Sequence, residues 1–298
     1  MTRFQLLVLM AGTWASLGAA YRTDNFVVEA PDAQTARQIG EAAEKCRHDK
    51  AVLWLGQPMP RWKKACPLTV RVTMAGPGGA TSFQFDQGRI LRQNMEVNGP
   101  VDRMLASVLP HEVTHTVFAH YFRQPVPRWA DEGGAVLSED EEEWRRHDTL
   151  VRQIRNQGRA VPLARLFPLK DYPRDVMVLY AEGYSVARFL VEKKDRRTFL
   201  AFVAHGMSKG WNKAARKYYH YKNVDKLELA WRKDLKKRVS EVAKSKKLRK
   251  LGHPPGARPK AYRILVTAED VPPPAPAVPS EFLLPPPPPP PSEDRTRK

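Results

Sequence analysis

The chain has 298 residues and carries 50 lysines and arginines against 32 aspartates and glutamates, a formal net charge of +18. That length suffices for one large or two small domains with a buried core. Its two cysteines, Cys46 and Cys66, are not in a Cys-x-x-Cys arrangement, so cysteine-ligated zinc is not supported. The excess positive charge gathers between Lys209 and Lys260, which suits contact with a polyanion such as an anionic envelope polymer, or a plainly solvated helix surface. No aromatic-interleaved basic motif accompanies it, so no specific nucleic-acid reader is indicated.

Residues 1–20, MTRFQLLVLMAGTWASLGAA, place Arg3 before an uncharged apolar run that ends in small residues. This is the pattern of a secretory signal peptide cleaved after Ala20. The expected location is outside the cytoplasm: periplasm, envelope or medium. No later stretch is long and apolar enough to span a bilayer. In an oxidising compartment Cys46 and Cys66 are either a disulfide or two buried thiols, and spacing does not choose.

Residues 25–30, NFVVEA, alternate as a short strand, and Pro31-Asp32 then opens a helix of good helix formers closed by Gly56. Residues 68–74, LTVRVTM, form a β-branched strand that AGPGGA interrupts. Residues 81–98 form a hairpin turning near Asp86-Gln87-Gly88. From Val101 the pattern is helical, in two segments with Pro110 in the first turn of the second. Further helices fall at 178–193, 198–208 and 224–242. The last carries one stripe of Val224, Leu227, Trp231, Leu235, Val239 and Val242. After Gly252 periodicity is lost, and 253–298 is a proline-rich disordered tail. The expected fold is α+β. An α/β lobe at about 21–105 precedes a helical lobe at about 106–252, and a metal site lies between them.

Residues 111–115 read HEVTH. On a helix His111 and His115 are one turn apart on one face, so their imidazoles can converge on a single ion at about 2.0–2.1 Å each. Glu112 is rotated to the flank, within reach of a water but not of the metal itself. A catalytic zinc needs a third protein ligand and an open fourth position. Glu132, in PRWADEGGA, follows at a distance that a second helix can fold back. A histidine third ligand fails, because Phe118 and Tyr121 stand where that version needs Gly and His, and His120 points about 140° away. Asp131 and the acidic run 138–146 read as helix surface. His48, His147, His205, His220 and His253 read as single surface or structural histidines.

HEVTH, WADEGGA and LYAEGYSVARFL, in that order, resemble the gluzincin metallopeptidases of the peptidase MA-like group and, more remotely, the aminopeptidase N family. The resemblance covers about residues 100–240. It implies a Zn2+ ion on His111, His115 and Glu132, Glu112 as general base, and Tyr180 hydrogen-bonding the developing oxyanion, with Tyr184 as the alternative tyrosine. The implied activity is hydrolysis of a peptide or protein substrate, laid along the sheet's exposed edge within 81–98. The interval from His115 to Glu132 is shorter than in the large aminopeptidases. Residues 93–96, QNME, only faintly echo their amine-holding strand and read as plain strand. Val136 stands where thermolysin-like members place a histidine-orienting Asp, so another group must orient the imidazole. Other readings are a catalytically silent zinc-binding scaffold and a polyanion-binding protein with an accidental motif. Retention of Glu112 favours the enzyme.

Overall fold

A computed structural model describes residues 18–250, with side chains described as far as Arg238. Most of the expected leader and the whole proline-rich tail lie outside the described residues. Ala19 and Ala20, which would precede the cleavage point, pair with Ala30 and Glu29 in strand β1 (Ala19–Arg22).

The fold is α+β: a five-stranded mixed sheet with one helix, then a mainly helical lobe. Strand β2 (Phe26–Ala30) leads into helix α1 (Ala33–Leu55). Asp32 caps that helix by accepting from the Thr35 amide at 2.8 Å, and Gly56 ends it at φ +79°. α1 carries the chain across to β3 (Cys66–Val72), parallel to β2. Strands β4 (Gly78–Asp86) and β5 (Arg89–Gly99) form a hairpin. Its turn puts Gln87 and Gly88 both at positive φ, +43° and +74°, as a two-residue turn between twisted strands demands. The order β1-β2-β3-β5-β4 makes β4 an edge and β5 an interior strand. The exposed edge expected within 81–98 is therefore only its β4 part, and it begins earlier, at Gly78. Met95 is buried in β5, so QNME is plain strand.

The two helical segments expected around Pro110 are one continuous rod. Helix α2 (Val101–Arg103) passes through a π turn (Met104–Val108) into α3 (Leu109–Phe122). Proline lacks an amide hydrogen and crowds the carbonyl four residues back. The wider π turn, closed by Leu109 N–H donating to the Met104 carbonyl, takes up that misfit without a break.

The helical lobe comprises α4 (Arg128–Val136), α5 (Glu141–Asn156), α6 (Leu163–Leu166), α7 (Val176–Lys193), α8 (Arg196–Lys209), α9 (Trp211–Tyr219) and α10 (Val224–Lys250). Val224, Leu227, Trp231 and Leu235 of α10 are buried as the stripe required, while Val239 and Val242 lie beyond the described side chains. Two apolar clusters meet across α1 and α3. Ile39, Ala43, Leu68, Val97 and Val113 fill the sheet side; Trp54, Phe118, Trp129, Phe167 and Phe202 fill the helical side. Helix α3 thus contributes to both cores and is rigidly held between them. Cys46 and Cys66 are free thiols; burial pushes the Cys66 thiol up to about 12, which makes it inert. Among the described residues no helix is long and apolar enough to cross a membrane.

Candidate metal centre

Helix α3 presents His111, Glu112 and His115, all buried, with ligand atoms within 4.8 Å of one another; the group could hold a metal ion. The two imidazoles lie 4.9 Å apart between ring centres. His111 Nδ1 is 2.6 Å from Glu139 Oε1, and His115 Nδ1 is 2.8 Å from Asp131 Oδ1. A carboxylate only accepts hydrogen bonds, so each Nδ1 is the proton-bearing nitrogen and each Nε2 is left for ligation. Both Nε2 atoms face Glu132 Oε2, at 3.3 Å from His111 and 3.7 Å from His115.

Helix α4 brings Glu132 there. Trp129 anchors that helix: its indole stacks on Phe167 at 4.4 Å and donates to the Phe167 carbonyl at 3.2 Å. One turn on, Gly133 lies against the backbone of Gly183 on α7, and a Cβ at Gly183 would stand 2.6 Å from the Trp129 carbonyl oxygen. The glycines of the two short motifs therefore have a steric purpose. They let α4 and α7 meet backbone to backbone, which brings Glu132 beside Tyr180.

Tyr180 is half-buried, its ring stacked against His111 at 6.4 Å between centres, and its hydroxyl interacts with Glu132 and Tyr172. Burial and the Glu132 carboxylate hold its phenol well above the ordinary range, so it is a donor. Tyr184 does not share the site: it is fully buried, accepts from Arg188 at 3.0 Å and packs on His147.

Glu112 is held from the sheet. Thr81, on edge strand β4, donates to Glu112 Oε2 at 2.7 Å. The strand passes so close that a Cβ on Gly79 would sit 2.7 Å from the Glu112 side chain. The general-base candidate is thus fixed by one hydroxyl beside an exposed strand edge.

Four groups here were not read as site residues in the sequence. Asp131 was expected at the helix surface but is tucked against His115. Glu139 was read with the acidic run as surface, yet it faces His111 and accepts from Ser107 at 2.8 Å. It supplies the orienting carboxylate that Val136 cannot. The rest of the run divides: Asp140 and Glu143 bind Arg103 at 2.6 and 2.9 Å, tying α5 to α2. Tyr172, from the loop before α7, donates to Glu132 Oε1. Thr81 is the fourth.

The donor set fits a divalent ion. Glu132 Oε2 is a buried oxygen with no hydrogen-bond donor, aimed at two imidazole nitrogens whose other sides are already bound to carboxylates. Glu112, Asp131, Glu132 and Glu139 bring four carboxylates around two imidazoles, an excess of negative charge that calls for a cation. Although burial opposes charge at both, Asp131 and Glu132 push His115 up to about 9, and His115 and His111 draw Glu132 down to about 2. Positive charge is demanded at this point, and the nitrogen and oxygen donors fit zinc.

No protein-family model, curated protein or solved structure matches the chain.

Proposed function

We propose that the chain is an exported zinc-dependent peptidase of the gluzincin kind, with His111, His115 and Glu132 as metal ligands and Glu112 as general base. The observation that carries this reading is the convergence of three ligand atoms, two Nε2 and one Oε2, beside a carboxylate held separately by Thr81. Glu112 lies close enough to the histidines to be counted a ligand itself. Its tie to Thr81 and the free Glu132 oxygen favour Glu132 in that role. A purely structural zinc site has no need of a further carboxylate held at its flank by the sheet.

A zinc ion bound there supplies Lewis acidity to the scissile carbonyl and acidity to water. The chain's own residues do the rest. An extended substrate lies along β4, where the edge strand offers unpaired backbone groups. Glu112 takes the proton of the attacking water on Oε1, while Oε2 stays anchored to Thr81, and passes it to the leaving amine. The Tyr180 hydroxyl donates to the oxygen on which negative charge develops, a contact worth about 3 kcal/mol in such sites. Asp131 and Glu139 keep both imidazoles in the tautomer that leaves Nε2 unprotonated.

The test is cleavage of a mixed peptide pool by the full chain loaded with zinc, beside Glu112→Gln. Expected are cuts by the parent protein and a loss on the order of 100-fold or more in the variant, with zinc retained in both. Zinc bound without cleavage by either protein favours the silent-scaffold reading. No zinc bound refutes the site.

A further inference from the structure

On the far face of α7 from the metal centre lies a cleft of about 370 Å³ between α5 and α10, lined by Arg152, Arg155, Asn156, Arg232, Leu235 and Lys236. Four of its six lining residues are cationic. Tyr180 faces Glu132, whereas Glu182, two residues on and so about 200° around the helix, accepts from the Val161 amide at 2.9 Å and acts on Arg155 and Arg232. The cleft and the metal centre therefore lie on opposite sides of α7 and share no residue.

The cations are held in place. The Arg155 guanidinium lies 5.2 Å over the Trp231 ring. Arg232 pairs with Glu228, whose other oxygen accepts from the Leu163 amide at 2.9 Å. Arg155 Nη1 and Arg232 Nε are nonetheless fully buried without a hydrogen-bond partner among the described residues. Burial and the neighbouring charge of Arg232 draw Arg155 below its ordinary range, against Glu182 and Glu228. Glu182 offsets part of this, its own carboxyl being raised to about 7 by burial. Basic residues at the C-terminal end of α5 also complement its dipole, but a surface arrangement would do that without burying unpaired donors.

We propose that this cleft binds a sulfate- or phosphate-type oxyanion, received by Arg152, Arg155, Arg232 and Lys236. Planar guanidinium groups match the oxygens of such a group, and the mutual repulsion of four cations around one cleft falls when it enters. The overall positive charge suited polyanions only diffusely; the cleft gives that preference one address.

The experiment is isothermal titration calorimetry of the full chain with a sulfated heparin hexasaccharide, repeated in the presence of inorganic sulfate. Arg152→Gln with Lys236→Gln removes two cleft charges at side chains that lie outside the core. Lys213→Gln with Lys217→Gln removes two exposed charges on α9 as a matched control. Expected is saturable binding that the cleft pair weakens about tenfold or more and the control pair less than about threefold. Competition by sulfate would mean that the cleft takes the free ion; no competition, with the cleft dependence intact, would mean that the oxyanion must be carried on a larger molecule. No saturable binding, or equal weakening by both pairs, overturns the proposal. None of these outcomes depends on zinc or on peptide cleavage.

Discussion

Gly183→Ala isolates the contact that assembles the candidate metal centre. In a helix interior, alanine for glycine ordinarily stabilises by about 0.5–1 kcal/mol. Here the new methyl would stand 2.6 Å from the Trp129 carbonyl oxygen and 3.3 Å from the Trp129 Cα. Real side-chain carbons do not approach backbone oxygen so closely, so α4 and α7 must separate by roughly half an ångström in a packed interior. Such overpacking costs about 1–3 kcal/mol and outweighs the helix gain. The net expectation is destabilisation by about 1–2 kcal/mol, a fall in Tm of about 2–8 °C for a domain of this size. Because Trp129 and Glu132 share one turn of α4, zinc affinity should fall with it. Thermal unfolding by circular dichroism, with zinc titrated against a chromophoric chelator, measures both. A variant as stable as the parent, or more so, would refute the claim that this backbone contact places Glu132.

Asp131→Asn and Glu139→Gln each replace an orienting carboxylate, and each should weaken zinc binding about 10–100-fold in the same chelator competition; unchanged affinity would remove them from the site. Thr81→Val deletes the hydroxyl at Glu112 Oε2 while keeping shape. It should lower kcat/KM for peptide cleavage about tenfold with zinc content unchanged. Glu182→Gln tests a buried acid. Burial raises its pKa from 4.5 to about 7, so its contribution to stability is full below 4.5 and lost as pH rises to about 7, up to about 3 kcal/mol. The glutamine variant keeps an oxygen for the Val161 amide and should flatten the stability profile over that window. A denaturant midpoint that responds to pH identically in both proteins would show that Glu182 carries no such penalty.

Much of the site was legible because it is local. His111, Glu112 and His115 fall within five residues, and helical periodicity alone sets their faces. The Asp32 and Gly56 caps, the Gln87-Gly88 turn and the α10 stripe are local in the same way. Glu132 was also within reach, since Trp129 and Gly133 flank it in a short motif, although the steric reason for the glycine appears only where α4 meets Gly183.

What only the tertiary structure decided is non-local. Asp131 and Glu139 look like surface acids by spacing, and they become histidine partners because α4 and the turn after it cross α3. Thr81 acquires its role from strand order, which makes β4 the edge and lays it over Glu112. Tyr172 sits in a loop with no periodicity to read. The continuity of α2 and α3 through Pro110 depends on a π turn that no residue pattern announces. In each case the deciding quantity is a distance between elements far apart in the chain. Side-chain period reports which face a residue takes, whereas close approach depends on packing that forms only when the whole core closes.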